Sequence, residues 1–361
     1  MHPIKVLYDG WPLIRQPSSP AAIHLLTILR SLPNGVEPVL ALPDVAPEWL
    51  NTHTRIETKA TAIDENARRK WEQSSLGKLA KNVDATLIHT TNFNAPLFAQ
   101  TPVLVSPCGY QGQELEGQSL SARLRRAQGR GGLSRAAGVL WPEDIPLPKD
   151  LPNTISLPAT IHPDFVSIPI GEQEAPTIPG VEMPETYTLF HGPGNEATLH
   201  TLLQAWTWAQ GPIGEYYPLL LVGLNSNSSL IAKNLINEFG FGSSVKIMPR
   251  LEPTQLIALY QNCSAVFHPA KISAWGGAIR LGLACGRTVV AFEQPDVDAL
   301  AGPAAFLVPP NDLRSFGAAM ISTVIKESIY EPLSEAAIKR SHAWRSNEFE
   351  NSLLEIYRQV I

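Results

Sequence analysis

Short apolar runs recur along the chain, separated by segments with helical spacing. In the first half, residues 4–8, 38–42, 85–89, 102–106 and 137–141 read as buried strands. Residues 21–32, with apolar positions at Ile23, Leu26, Ile28 and Leu29, and residues 71–81 read as helices. The second half restarts the pattern. Strands are predicted at 187–191, 218–222, 245–248, 265–267 and 288–292, and helices at 198–209, 230–239, 253–262, 313–326 and 349–360. Apolar strands alternating with helices predict parallel sheets covered on both faces. Between them, residues 142–184 hold ten prolines. Proline fixes φ and lacks an amide donor, so this stretch is expected to be an extended linker with at most a short strand at 154–157.

One segment carries more chemistry than pattern. From His268 to Gly286 an apolar strand enters a loop, the pair Gly276-Gly277 opens a helix of small residues, and Gly286 stops it before the next strand. A helix opening on glycines presents free N–H groups and a positive dipole end, which suits a phosphate.

Composition narrows the class. A chain of 361 residues, 44% hydrophobic and 17% charged, is long enough for two domains with sizeable cores. A net charge of −5 gives no electrostatic case for nucleic acid as a partner. No apolar run approaches the ~18 residues of a membrane span. The first strand begins without a basic and apolar leader, so no signal peptide is expected. Cys108, Cys263 and Cys285 are widely spaced and match no metal-ligand pattern. They read as buried thiols of a protein in the reducing cytoplasm.

Taken together, several stretches resemble glycosyltransferase family 4. They are Tyr187-Thr188-Leu189-Phe190-His191-Gly192, Leu199 to Trp206, Pro218 to Gly223, Leu256 to Tyr260, the loop and helix around Gly276, and Gly302 to Asp312. Trp71-Glu72-Gln73 and His89 to Leu97 are similar to stretches in the family's first half. The resemblance implies the α/β GT-B fold: two Rossmann-like, doubly wound parallel-sheet domains facing across a cleft. The implied domains are residues 1–165 on the acceptor side and 166–345 on the nucleotide-sugar side. A C-terminal helix, 346–361, is expected to cross back to the first. The donor-binding candidates are then Gly192, Arg250, Lys271, Ser273, Trp275, Gly276, Gly277 and Arg280.

The departures from the family share a theme. Its loop carries two glutamates, one near the transferred sugar and one on the ribose; here those positions hold Ser273 and Leu281. Its arginine and lysine after the first donor-domain strand align with Pro193 and Ala197. Its glycine-rich loop aligns with Ser19-Pro20-Ala21, and its His-Asp pair with Cys108-Gly109. A leaving diphosphate in a dry cleft needs positive groups placed in advance. Arg280 or Lys271 could supply part of that charge, although either could equally be a solvated side chain. Trp275 could pack the loop or wall a sugar pocket, and His191 could be structural.

The expected function is therefore a family-4-like protein of glycan or glycoconjugate assembly with lost or altered donor chemistry, acting as a binding or scaffolding partner. The alternative is an active retaining glycosyltransferase with a non-standard site. A two-lobed small-ligand binding protein is a third class. No cofactor or metal is expected, and a nucleotide sugar or glycan acceptor is the expected small-molecule partner. A partner glycosyltransferase is also expected. The run Arg123, Arg125, Arg126, Arg130 and Arg135, broken by Gly129, Gly131 and Gly132, reads either as a solvated helix with a flexible loop or as a contact with anionic lipid headgroups at the inner membrane face or with an acidic partner.

Overall fold

The computed structural model describes residues 3–50, 54–62, 64–108, 120–169, 172 and 175–361; the side chains of residues 65, 121, 122 and 126 lie outside that description. The chain divides into two units. One comprises Met1–His162, Ala274–Gly276 and Ser346–Ile361, the other Pro163–Ser273 and Gly277–Arg345. The division after His162 falls inside the proline-rich stretch.

The first unit is built on seven parallel strands: β1 (Ile4–Asp9), β2 (Val36–Leu42), β3 (Arg55–Thr58), β4 (Leu87–Thr90), β5 (Val103–Val105), β6 (Gly138–Pro142) and β7 (Thr154–Leu157). Their order is β3-β2-β1-β4-β5-β6-β7. Strand β1 is central, pairing with β2 from Ile4↔Val36 and with β4 from Val6↔Leu87. Strand β7 lies at the edge, where proline-dense sequence can be tolerated. The helices are α1 (Trp11–Arg15), α2 (Pro20–Arg30), α3 (Glu65–Lys70), α4 (Leu76–Asn82) and α5 (Leu120–Arg135). A π turn, Trp71–Ser75, joins α3 to α4. Leu7, Trp71, Ile88, Val105 and Val139 lie in the core.

The second unit has six parallel strands: β8 (Thr188–His191), β9 (Leu219–Val222), β10 (Val245–Ile247), β11 (Ala265–His268), β12 (Thr288–Phe292) and β13 (Phe306–Val308). The order is β10-β9-β8-β11-β12-β13. Its helices are α6 (Glu196–Ile213), α7 (Ser226–Phe239), α8 (Pro253–Asn262), α9 (Ala278–Ala284), α10 (Pro295–Ala301), α11 (Leu313–Ile325) and α12 (Glu327–Ser341). Phe190, Trp206, Phe267, Phe316 and Met320 fill its core, and Trp206 Nε1 donates to Ser244 Oγ at 3.2 Å. The last helix, α13 (Glu348–Val360), belongs to the first unit. It is fastened there by Tyr357, whose hydroxyl lies 3.1 Å from Tyr8 Oη and 2.7 Å from His89 Nδ1.

The basic run departs from expectation. It forms one 16-residue helix, α5, and its glycines are the reason it packs. Gly129 and Gly132 lie against the loop after β4: a Cβ at Gly132 would stand 2.0 Å from the Ala95 carbonyl oxygen, and one at Gly129 1.9 Å from Asn94 Oδ1. Arg125 shares that inner face and is only 1% exposed. Its Nε and Nη2 donate to the two oxygens of Glu72 at 3.0 and 2.9 Å, while Arg68 Nε donates to Glu72 from 3.3 Å. This corrects the reading of Arg125 as a surface residue: a buried carboxylate on the π turn requires a buried guanidinium to meet it. Arg123, Arg130 and Arg135 remain exposed, and the Arg126 side chain is outside the described set. The same π turn fastens the loop, since Gln73 donates to the Ala95 carbonyl and accepts from Leu97 N.

These contacts give opposite expectations for adjacent glycines. Gly132→Ala should destabilise the protein by ~1–3 kcal/mol in urea unfolding, because the clash is with backbone. Gly131→Ala meets only the tip of Leu97 (2.8 Å to Cδ1) and should be neutral or stabilising by up to ~1 kcal/mol through helix propensity. Equal costs at the two positions would show that α5 is not held by close approach.

Candidate functional site

In the second unit β8 is the first strand, with β9 on one side and β11 on the other, so the topological switch point lies between β8 and β11. Ligands of doubly wound sheets bind at the carboxyl ends of the strands beside that point. His191 ends β8 and His268 ends β11, both buried. Gly192 follows His191, and a Cβ there would lie 3.1 Å from the Phe190 ring and 3.4 Å from His268 Cε1. His191 Nδ1 lies 2.8 Å from the Tyr260 hydroxyl.

His268 Nε2 lies 3.1 Å from the Lys271 carbonyl, an oxygen that can only accept, so Nε2 carries the proton. Burial pushes the ring's pKa down to about 4. The imidazole is therefore neutral at physiological pH, with Nδ1 as an acceptor. It lines a small pocket together with Ser273, Gly277, Arg280 and Leu300. Gly277 is the N-cap of α9, and no side chain caps that end. Arg280 is not solvated: it is 0% exposed, and its guanidinium carbon sits 4.6 Å from the centre of the Trp344 ring. A desolvated guanidinium on an indole face gains ~2 kcal/mol from the pairing. Arg340 approaches the same ring at 5.8 Å and also donates to the Ala299 and Leu300 carbonyls.

Several expected donor residues do not join this pocket. Lys271 and Arg250 are exposed, Arg250 lying beyond the end of β10, and neither side chain lines the pocket. Trp275 and Gly276 pack within the first unit. The indole stacks on His24 at 4.5 Å, meets Phe349 edge-on at 6.1 Å, and donates from Nε1 to the Leu140 carbonyl at 3.2 Å. It is fully buried and offers no face to a sugar. Gly276 has φ +60°, and a Cβ there would stand 2.5 Å from the Pro20 carbonyl oxygen, so glycine is required on both counts. Leu281 is wholly buried. Among the described residues, no three His, Cys, Asp or Glu side chains gather as a metal site would need.

The first unit holds a second cluster that the sequence reading passed over. Its switch point lies between β1 and β4. Asp9, the last residue of β1, accepts hydrogen bonds from Trp71 Nε1 (2.8 Å), Trp11 N (3.1 Å) and Asn92 Nδ2 (3.1 Å). Burial pushes its carboxyl up from 3.8 to about 6, against the hydrogen bonds from Trp71 and Trp11, and Glu72 nearby adds to the rise. His89 in β4, between Tyr357 and Ser106 Oγ (2.7 Å), is pushed down by burial from 6.5 to about 3. Asp9, an aspartate ending an apolar strand, was the available signal in the sequence.

The comparisons with known proteins agree with this architecture. Similar solved structures include sucrose-phosphate synthase from Thermosynechococcus elongatus (TM-score 0.69, 16% identity, covering 99% of this chain and 98% of that one). The Anabaena protein HepE in complex with UDP and glucose aligns with a TM-score of 0.64 at 16% identity, over 99% and 98% of the two chains. An α,α-trehalose-phosphate synthase (UDP-forming) from Burkholderia xenovorans, in complex with glucose-6-phosphate, aligns at 0.65 and 8% identity over 99% of each. No curated protein sequence matches the chain. The fold is that of the GT-B glycosyltransferases. Residues 186–325, which lie in the second unit apart from 274–276, match the family model described as Glycosyl transferases group 1.

The first-unit cluster makes a pH-dependent prediction. A carboxyl titrating at about 6 when folded and 3.8 when unfolded contributes stability that is full below 3.8 and lost as pH rises through 6, ~3 kcal/mol in all. His89 acts in the opposite sense: its contribution is full above 6.5 and is lost as pH falls toward 3. Asp9→Asn removes the first of these and leaves the second. Urea unfolding from pH 4 to pH 8 should show the variant gaining ~3 kcal/mol relative to wild type across that range. A pH-independent difference would show that Asp9 does not hold its proton.

Proposed function

We propose that this chain is a glycosyltransferase-like protein of glycan or glycoconjugate assembly whose donor chemistry is lost or strongly altered, so that it serves as a binding or scaffolding partner. The observation that carries this reading is the fate of the donor positions. Leu281 is buried where a ribose-binding carboxylate would stand, and Ser273 stands in place of the other carboxylate. The two aligned cation positions hold Pro193 and Ala197. Removing one preorganised donor typically costs 10²–10³ in rate, and here two cations and two carboxylates are missing together, in a set whose effects are not additive.

The ligand class proposed is a nucleotide sugar or a glycan acceptor. Structures of similar fold carry UDP with glucose and glucose-6-phosphate, which supports that class. The expected setting is the cytoplasm, with peripheral contact at the inner membrane face. Among the described residues no helix is long and apolar enough to cross a membrane. A partner glycosyltransferase would supply turnover.

A second reading has one observation in its favour. Arg280 is a buried cation that lines the pocket at the β11–α9 loop. An active retaining enzyme could place a donor phosphate against it. Calorimetry with UDP- and GDP-sugars, followed by transfer assays on the purified chain, separates the two. The proposal expects no measurable transfer. Micromolar binding abolished by Arg280→Ala, together with steady transfer, would establish the second reading and end the first.

A further inference from the structure

The outward face of α5 has a composition that packing does not explain. Leu120 is 74% exposed and Leu124, one turn on, is 47% exposed. Exposed Ala127 continues their line at i+7. Arg123 and Arg130, also seven residues apart, run along one flank and are exposed. On the other side Phe98, 75% exposed, lies beneath Arg135, whose guanidinium carbon is 5.3 Å from the ring centre. Helix α5 contains no Asp or Glu. The carboxylate of Glu72 is engaged by the inward Arg125, on the opposite side of the helix. Gly129 and Gly132 seat the inner face against the loop, so the outer face is presented by a fixed helix.

We propose that this face docks on an anionic lipid surface, with Arg123, Arg130 and Arg135 meeting headgroup phosphates and Leu120, Leu124 and Phe98 seated at the acyl boundary. The inference rests on the peripheral setting proposed above and supplies the surface that would produce it. Apolar side chains held out in water beside arginines with no acidic partner among the described residues match a surface that is negative outside and oily beneath. The guanidinium over Phe98 lets Arg135 reach a phosphate while the ring sits deeper. An acidic protein would account for the arginines and leave Leu120, Leu124 and Phe98 exposed without cause.

The test is co-sedimentation of the full chain with vesicles, with no nucleotide sugar present, so that its outcome is independent of sugar transfer. Vesicles of phosphatidylcholine alone are compared with vesicles containing about one third phosphatidylglycerol. Binding is expected only to the anionic vesicles and should weaken as salt shortens the screening length. Arg123→Gln with Arg130→Gln should lower partitioning roughly 30-fold, the factor for two arginines at about 1 kcal/mol each. Leu120→Ser with Phe98→Ser should also weaken binding, and the loss should persist at every salt concentration. All four positions are exposed, so thermal melting should match wild type and exclude misfolding. Equal binding to neutral vesicles, or undiminished binding by either double variant, would overturn the proposal. So would binding to polyglutamate without binding to anionic vesicles, which would assign the face to an acidic protein.

Discussion

A parallel sheet covered by helices has one chemical edge. Its strands are continuous apolar runs, and each run must end in a residue that can leave the core. Because all strands point the same way, those terminal residues are gathered at one rim. Asp9 ends β1 and Thr90 ends β4 in the first unit; His191 ends β8 and His268 ends β11 in the second. Loops and helices cover that rim here, so each of these groups is buried and must be met by a partner. The π turn and the loop after β4 meet Asp9, the α8 hydroxyl at Tyr260 meets His191, and the α13 hydroxyl at Tyr357 meets His89, one residue before the end of β4.

Buried charge is resolved in three different ways. Glu72 is met by two guanidiniums and stays within hydrogen-bonding distance of both. Removing one partner of such a pair generally costs ~3–5 kcal/mol, far more than the ~0–1 kcal/mol of an exposed pair. Asp9 instead receives three neutral donors, which do not offset desolvation, and its carboxyl holds its proton to higher pH. Arg280 is laid on an indole, a contact that helps compensate a desolvated cation. The difference matters for chemistry. An aspartate titrating at about 6 can exchange protons near neutrality, and a buried neutral histidine can accept a hydrogen bond from a ligand.

How much of this was legible follows from which positions periodicity can see. Fully buried strands such as β1, β9 and β12 announce themselves as apolar runs, and α8 begins and ends where Pro253 and Asn262 suggest. Strand β3, Arg-Ile-Glu-Thr at an edge, has no such run, and α12, with only Ala337 and Ser341 buried and Pro332 inside it, has no apolar stripe. Helix α5 was hidden by its glycines, which propensity counts against a helix and which close packing requires. At the pocket, residue type alone says that neither Ser273 nor Leu281 carries charge. The burial of Arg125 was not, because nothing in a run of arginines says which one faces inward. That answer lies fifty-three positions away in Glu72. Trp275 posed the same difficulty, since its partners His24, Leu140 and Phe349 are all remote in sequence.

The question of activity turns on where positive charge can be delivered. A departing nucleoside diphosphate carries about two negative charges, and in a dry site fixed dipoles and cations must already point at it. Backbone N–H groups at a glycine-opened loop supply the dipoles, and the second unit keeps Gly277 in that position. Of the side chains, Lys271 is solvated and Arg250 lies beyond β10, so neither is preorganised. Arg280 is preorganised, but toward Trp344; turning it to a phosphate would give up a cation–π contact of ~2 kcal/mol before any new bond formed. Catalysis depends on stabilising charge that grows between the ground and transition states. On the reading proposed above, a catalytic role would require the guanidinium to exchange its aromatic partner for a phosphate within a single turnover.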